Sequence, residues 1–222
     1  MLATAIAPLL EACCDSILSA RNAQEFGAGR VELCGAGAGG TTPSIGLIAR
    51  CREALYVPLH VMIRPNTNGF VYSSDEFEVM KHDIAAAHEI GVDGVVVGIL
   101  HDDDTIDMER MAEMIALARP LNVTFHRAFD RTPNAAEALE TLLSLGVDYV
   151  LTAGQAATAL EGAEQLHALQ VQAGDRLTIL AGGGVRAHNV RDVVAISGVR
   201  EVHANATDPQ ILREVLLALA EL

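Results

Sequence analysis

The fold class that this sequence predicts is a closed barrel of eight parallel strands, each followed by a helix. Three observations predict it. A glycine-led phrase recurs four times: G-A-G-R-V-E-L at Gly27, G-V-D-G-V-V-V at Gly91, G-V-D-Y-V-L-T at Gly146 and G-V-R-E-V-H-A at Gly198. Each glycine suits a helix end that needs positive φ, and each is followed by a strand rich in Val. Successive phrases lie 64, 55 and 52 residues apart, the length of two strand–helix units. One such unit is legible in full from Leu177 to Asn205, as strand, Gly182-Gly183-Gly184, helix, Gly198 and strand. Eight strands in strict alternation with helices favour a (β/α)8 TIM barrel over an open sheet.

The elements follow in order. Leu9–Cys14 reads as the first strand, with Asp15 capping a helix through Phe26. Arg30–Cys34 is the second strand; the glycine-rich stretch Gly35–Gly40 reads as a flexible loop, and Ser44 opens a helix to Ala54. Pro58–Ile63 is the third strand, and after a long loop Ser74–Glu76 opens a helix ending near Gly91. Gly94–Leu100 and Asn122–His126 are the fourth and fifth strands, separated by a helix over Asp107–Ala118. Pro133 starts the fifth helix, Tyr149–Thr152 is the sixth strand, and Ala156–Ala173 the sixth helix. Leu177–Leu180, Ala187–Ile196 and Glu201–Ala204 complete the strand–helix–strand unit. Asp208-Pro209 then starts the last helix, with Pro suited to the first turn. No linker or charge run divides residues 1–222, so one domain is expected.

Half of the 222 residues are apolar, enough for one large core. The net charge of -14 argues against nucleic acid and anionic membranes as partners. The apolar start, Met1–Leu10, is short and has no basic leader region, and no run is long enough to span a membrane. Four cysteines without a secretion signal point to reduced thiols in the cytoplasm. A homo-oligomer is compatible with this composition.

Alternate residues of a barrel strand face the axis. One parity carries Glu11 and Cys13, Glu32 and Cys34, His60 with Met62 and Arg64, Thr124 with His126, Thr152, and Glu201 with His203 and Asn205. Burying such groups is costly unless they are paired or functional. Glu11, Glu32, His60 and His126 are candidate acids and bases, with Arg64 to neutralise developing negative charge. A satisfied internal ion network is the other reading of the same residues. Gly182, Gly183 and Gly184 sit between strand and helix, where amides and a helix N-terminus can receive an anion; Thr152, Gly154 and Asn205 flank the same mouth. That set points to an enzyme acting on a small phosphorylated metabolite. The tight glycine turn is equally what close packing alone would need.

Cys14 and Cys51 fall on helix-facing positions and read as core residues. His82, His88 and His167 fall on helices and read as surface residues. Cys13 and Cys34 lie on adjacent strands, ~5 Å apart, where their thiols can approach. As thiolates near Met62 they suit a soft ion such as Cu(I). Two buried reduced thiols are the alternative.

Several phrases occur together and in a fixed order: E-A-C-C-D-S at Glu11, R-V-E-L-C at Arg30, T-P-S-I-G-L-I at Thr42, H-V-M-I-R-P at His60, F-V-Y-S-S-D-E-F-E-V-M at Phe70, T-F-H-R-A-F-D at Thr124, L-T-A-G-Q-A at Leu151 and G-G-G-V at Gly182. Over about residues 9–205 this set resembles the CutC family, named for copper homeostasis. The resemblance implies a single barrel domain, a cytosolic location and copper binding or handling. It also implies that Cys13 and Cys34 are the copper ligands. The sequence departs from the family pattern at Asn205, where Ser is common, and at Ala181, where Pro is common.

Overall fold

The computed structural model describes residues 8–37 and 39–222. The leader reading of Met1–Leu10 therefore falls largely outside the described residues. Eight strands and eight helices alternate: β1 (Leu9–Cys14), α1 (Ile17–Phe26), β2 (Arg30–Leu33), α2 (Ile45–Ala54), β3 (Leu59–Met62), α3 (Ser74–Ile90), β4 (Gly94–Val97) and α4 (Met108–Ala118) form the first half. β5 (Asn122–Phe125), α5 (Ala135–Leu145), β6 (Tyr149–Thr152), α6 (Ala163–Ala173), β7 (Thr178–Gly182), α7 (Val190–Ser197), β8 (Glu201–Asn205) and α8 (Pro209–Ala220) form the second. The strands pair in parallel in chain order, and β8 closes on β1. The predicted (β/α)8 TIM barrel is the observed fold.

The recurrent glycines work as the sequence implied. Gly27, Gly91, Gly146 and Gly198 end α1, α3, α5 and α7 in the left-handed region, with φ of 100°, 80°, 74° and 70°. At helix starts, Ser16, Ser44, Ser73, Asp107, Asn134 and Asp208 accept backbone N–H bonds. Asp15 is thus displaced by one residue as the first cap, because Ser16 and Ser19 form a reciprocal capping box there. The apolar stripes of the helices pack on the outward faces of the strands, through residues such as Val31, Leu33, Val95, Val97, Ile84, Met111 and Leu142.

Two expectations are corrected. The sixth helix begins at Ala163, seven residues later than predicted. The preceding segment is pinned to the strand ends: Ala159 N–H donates to the Gly183 carbonyl at 2.8 Å, and a Cβ on Gly162 would stand 1.9 Å from the Ala153 carbonyl oxygen. Thr152 does not face the axis. In the β5–β6 register Tyr149 pairs with Thr124, so Tyr149 and Leu151 take the inward positions. A short 3₁₀ turn, Arg127–Arg131, follows β5 and was not anticipated.

Glycine on β4 sets what the barrel can hold. A side chain at Gly94 would meet the His60 ring at 2.6 Å, and one at Gly98, just past the strand, the His126 ring at 2.5 Å. The two imidazoles occupy the space that two ordinary barrel residues would fill.

Candidate functional site

The barrel interior is layered. In its lower half Arg30, 3% exposed, donates through Nε to Glu11 at 2.5 Å and through Nη2 to Glu201 at 2.6 Å. Its guanidinium lies 4.5 Å from the Tyr149 ring centroid. His60 sits beside this pair, its Nδ1 3.9 Å from Glu11 and 3.5 Å from the Thr124 hydroxyl. Burial, with the Arg30 charge, lowers the His60 pKa to about 4 despite Glu11, so the ring is neutral. Glu11 is fully buried. Burial would raise its pKa, but the hydrogen bond from His203 and the charge of Arg30 hold it at about 2.

Above this layer, at the C-terminal ends of the strands, lies a cavity of about 300 Å³. That is the end where barrels of this class carry their active sites. One wall is sulfur and carboxyl. Cys13 Sγ lies 3.6 Å from Cys34 Sγ, and the Cys34 thiol is 3.3 Å from Glu32 Oε2. His203 donates from Nδ1 to Glu11 Oε1 at 2.8 Å and turns Nε2 toward Glu32 Oε2 at 3.7 Å. Cys13, Glu32 and His203 each offer a ligand atom within 4.8 Å of the others. Met62 and Val96 pack against the two cysteines.

The charges of this wall are interdependent. The hydrogen bond from Cys34 holds the Cys13 thiol well below the ordinary range, against burial and with help from His203. The same contact, together with burial and Glu32, pushes the Cys34 thiol up. Burial raises Glu32, and the negative Cys13 raises it further. Burial would lower His203, but Glu32, Cys13 and Glu11 reverse that and raise it well above 6.5. These shifts favour the charged forms of Cys13 and His203, and Glu11 orients the His203 ring from behind. Oε1 of Glu32 is buried and has no hydrogen-bond partner among the described residues.

The loop after β2 roofs this wall. A Cβ on Gly40 would stand 2.9 Å from Cys34 Sγ, and one on Gly39 2.9 Å from Arg64 Nη1. Both have positive φ, 77° and 76°. These glycines let the backbone close over a thiol and a guanidinium, so the loop is fitted rather than merely flexible.

The cavity is also lined by Arg64, Phe70, His126 and Arg127. Arg64 is 6% exposed, lies 4.9 Å over the Phe70 ring and donates to the Gly40 carbonyl at 3.2 Å. His126 accepts the Ala128 N–H on Nδ1. Burial and the Arg64 charge lower its pKa to about 3.

The predicted residues therefore separate. Cys13, Cys34, Glu32, Arg64, His126 and Asn205 line the cavity, whereas Glu11 and His60 lie beneath it. Thr152, Gly154, Gly182, Gly183 and Gly184 are outside its lining. Donors from the sixth strand end already serve an internal anion. Asp130 accepts the Thr152 hydroxyl at 2.5 Å, Ala153 N–H at 3.0 Å, Gln155 N–H at 3.1 Å and Arg127 Nε at 2.7 Å. Gly154 N–H donates to the Thr152 hydroxyl at 2.9 Å. Sequence reasoning passed over Arg30 and His203 as functional residues, although the inward parity of β2 and β8 contains both. Asp130 carries no sequence signal for its role, since its partners come together only through the 3₁₀ turn.

Comparison with known proteins is consistent across three kinds of match. The family model described as CutC family matches residues 8–208. A family protein CutC of Chromobacterium violaceum is 47% identical over 199 residues, covering 89% of this chain and 81% of that protein. The copper homeostasis protein cutC homolog of Mus musculus is also 47% identical over 199 residues, covering 89% of this chain and 73% of its own. A solved CutC structure from Streptococcus agalactiae superposes with a TM-score of 0.85 at 32% identity, over 90% of this chain and 99% of that one. Thiamine phosphate pyrophosphorylase from Pyrococcus furiosus, with a TM-score of 0.67 at 15% identity, covers 97% of this chain and 96% of its own and shares the fold alone.

Proposed function

From the premise that this chain belongs to the CutC family, we propose that it binds monovalent copper between Cys13 and Cys34 and takes part in copper handling in the cytosol. The observation that carries this reading is the pair of thiols 3.6 Å apart in one wall of the cavity, where the hydrogen bond with Cys34 lowers the Cys13 pKa. Soft sulfur ligands select Cu(I), and binding requires deprotonated thiols. The residues fit such an ion. Met62 adds a thioether beside Cys34. Glu32 accepts from the Cys34 thiol on Oε2 and has a buried Oε1 with no hydrogen-bond partner among the described residues. His203 stabilises the negative charge on Cys13 before metal arrives, and Glu11 keeps His203 in place. Among the described residues no helix is long and apolar enough to cross a membrane, so the handling proposed is binding and transfer rather than transport through a span.

Anaerobic titration with Cu(I) against a chromophoric chelator tests this. Wild type should take up about one ion per chain, with an affinity that weakens as pH falls and the second thiol stays protonated. Cys13→Ser and Cys34→Ser should each lose that ion, whereas Cys51→Ser, outside the barrel, should not. Equal uptake by wild type and the two single variants contradicts the reading.

A further inference from the structure

We infer that Cys13, Glu32 and His203 form a site for one divalent cation of borderline softness, Zn(II) being the type, with its fourth coordination place on the cavity. The three residues come from β1, β2 and β8, which are neighbours in the closed barrel. Cys13 pairs with Glu32 across β1–β2, and His203 pairs with Glu11, one inward position below Cys13. Each residue offers a ligand atom, and these atoms all lie within 4.8 Å of one another. A tetrahedral zinc ion with bonds of about 2.0–2.3 Å spaces its donors roughly 3.3–3.8 Å apart. His203 Nε2 and Glu32 Oε2, at 3.7 Å, already stand at that spacing.

The surroundings of His203 are those of a ligating imidazole. Its Nδ1 donates to Glu11 Oε1 at 2.8 Å, and Arg30 holds Glu11 by the other oxygen. A carboxylate behind the ring fixes its orientation and leaves Nε2 as the nitrogen that a metal takes in exchange for a proton. Glu32 is 2% exposed, and its Oε1 has no hydrogen-bond partner among the described residues. A buried carboxylate is costly unless charge meets it, and a cation ligated by Glu32 supplies that charge. The donor set selects the ion. One thiolate, one imidazole and one carboxylate suit zinc, whereas Cu(I) prefers sulfur, and Mg2+ and Ca2+ prefer oxygen throughout. Two anionic donors and a neutral ring also balance a dication. Three protein ligands with a fourth place for water or a small ligand is the arrangement of reactive rather than structural zinc. Cys13, Glu32 and His203 all line the cavity of about 300 Å³, so that place belongs to whatever the cavity admits. Cys34 is not a member of this group. The zinc and copper sites thus share the Cys13 sulfur and differ in their other ligands, and the inference does not rest on copper binding.

The test uses the full chain, reduced and metal-free, with Co(II) as the spectroscopic probe and Zn(II) as its competitor. Wild type should bind about one Co(II) per chain. The bound ion should show the strong visible bands of tetrahedral cobalt and a near-ultraviolet sulfur-to-cobalt band, and Zn(II) should abolish both. Glu32→Gln and His203→Ala should each weaken Zn(II) binding by about tenfold or more, and Glu11→Gln, acting through the His203 ring, by about 10–100-fold. Cys34→Ser should keep the cobalt spectrum while losing Cu(I), and Cys13→Ser should lose both. The wild-type and Cys34→Ser spectra decide the matter even where a substitution of Glu32 or His203 prevents folding. Four results overturn the inference: no saturable Co(II) or Zn(II) binding by wild type, a cobalt spectrum without the sulfur band, loss of that spectrum in Cys34→Ser, which puts the ion on the thiol pair, or unchanged Zn(II) affinity in folded Glu32→Gln and His203→Ala. A predicted cobalt spectrum in a protein that takes up no Cu(I) supports this site and contradicts the copper reading alone.

Discussion

Glu11→Gln removes a charge at the point where the two layers of the barrel join. The wild-type carboxylate accepts from Arg30 Nε at 2.5 Å and from His203 Nδ1 at 2.8 Å, and it is fully buried. An amide of the same shape offers one oxygen in place of two and turns an NH2 donor toward one of these donors. Breaking a buried pair by removing one partner costs ~3–5 kcal/mol. Arg30 keeps Glu201 at 2.6 Å, which compensates half of its loss and places the expected cost at the lower end, about 3 kcal/mol. For a chain of this size that is roughly 6–12 °C in Tm. Denaturant unfolding of both proteins at neutral pH gives the midpoint shift, and thermal unfolding gives an independent figure. The same substitution should free His203 to lose its proton and so raise the pH at which Cys13 reacts with iodoacetamide. A midpoint within 1 kcal/mol of wild type, with an unchanged alkylation profile, refutes the claim that Glu11 organises the interior.

Two further outcomes follow from the same interior. His60 and His126 are neutral in the fold, with pKa values of about 4 and 3 against an ordinary 6.5, so between pH 6.5 and 4 the unfolded chain binds two more protons. Stability should fall as pH falls through that window, by up to about 2.7 kcal/mol per pH unit for two sites. Glu11 adds a further loss between its unfolded 4.5 and its folded value of about 2, whereas the His203 contribution is complete below pH 6.5 and is lost only as pH rises through its raised value. Urea midpoints at pH 7, 6 and 5 check this, and a flat profile contradicts it. Asp130→Ala should destabilise the rim by leaving the Thr152 hydroxyl and the Ala153 and Gln155 amides unmet, and added formate should restore part of the loss. Equal stability of wild type and variant, or no effect of formate on the variant, rules out Asp130 as the internal anion of that nest.

The architecture was legible because its determinants are local. Gly27, Gly91, Gly146 and Gly198 mark helix ends by a backbone requirement that sequence displays directly. The inward parity of β1, β2, β3, β5 and β8 was equally readable from alternation, and it brought Cys13, Cys34, Glu32, Arg64 and His126 to one cavity. The depth of each residue was not. Glu11 and Cys13 share a face, yet one lies beneath the cavity and the other lines it: they are about 6.6 Å apart along β1, and where the cavity ends along that strand depends on side chains from other strands. The role of Thr152 was misread because β6 alone does not declare its register; the pairing of Tyr149 with Thr124 decides it. Gly94 and Gly98 fall within the predicted fourth strand, and only the imidazoles packed on them show that they make space. The donors after β6 serve Asp130, which arrives from a turn with no periodicity.

The copper reading rests on where the ion goes. Crystals of the reduced protein grown anaerobically with Cu(I), measured on either side of the copper absorption edge, give that position directly. The account predicts a single strong anomalous peak bonded to Sγ of both Cys13 and Cys34 in the wall of the cavity. A peak on surface histidines such as His82 or His88, with none at the two thiols, would contradict it.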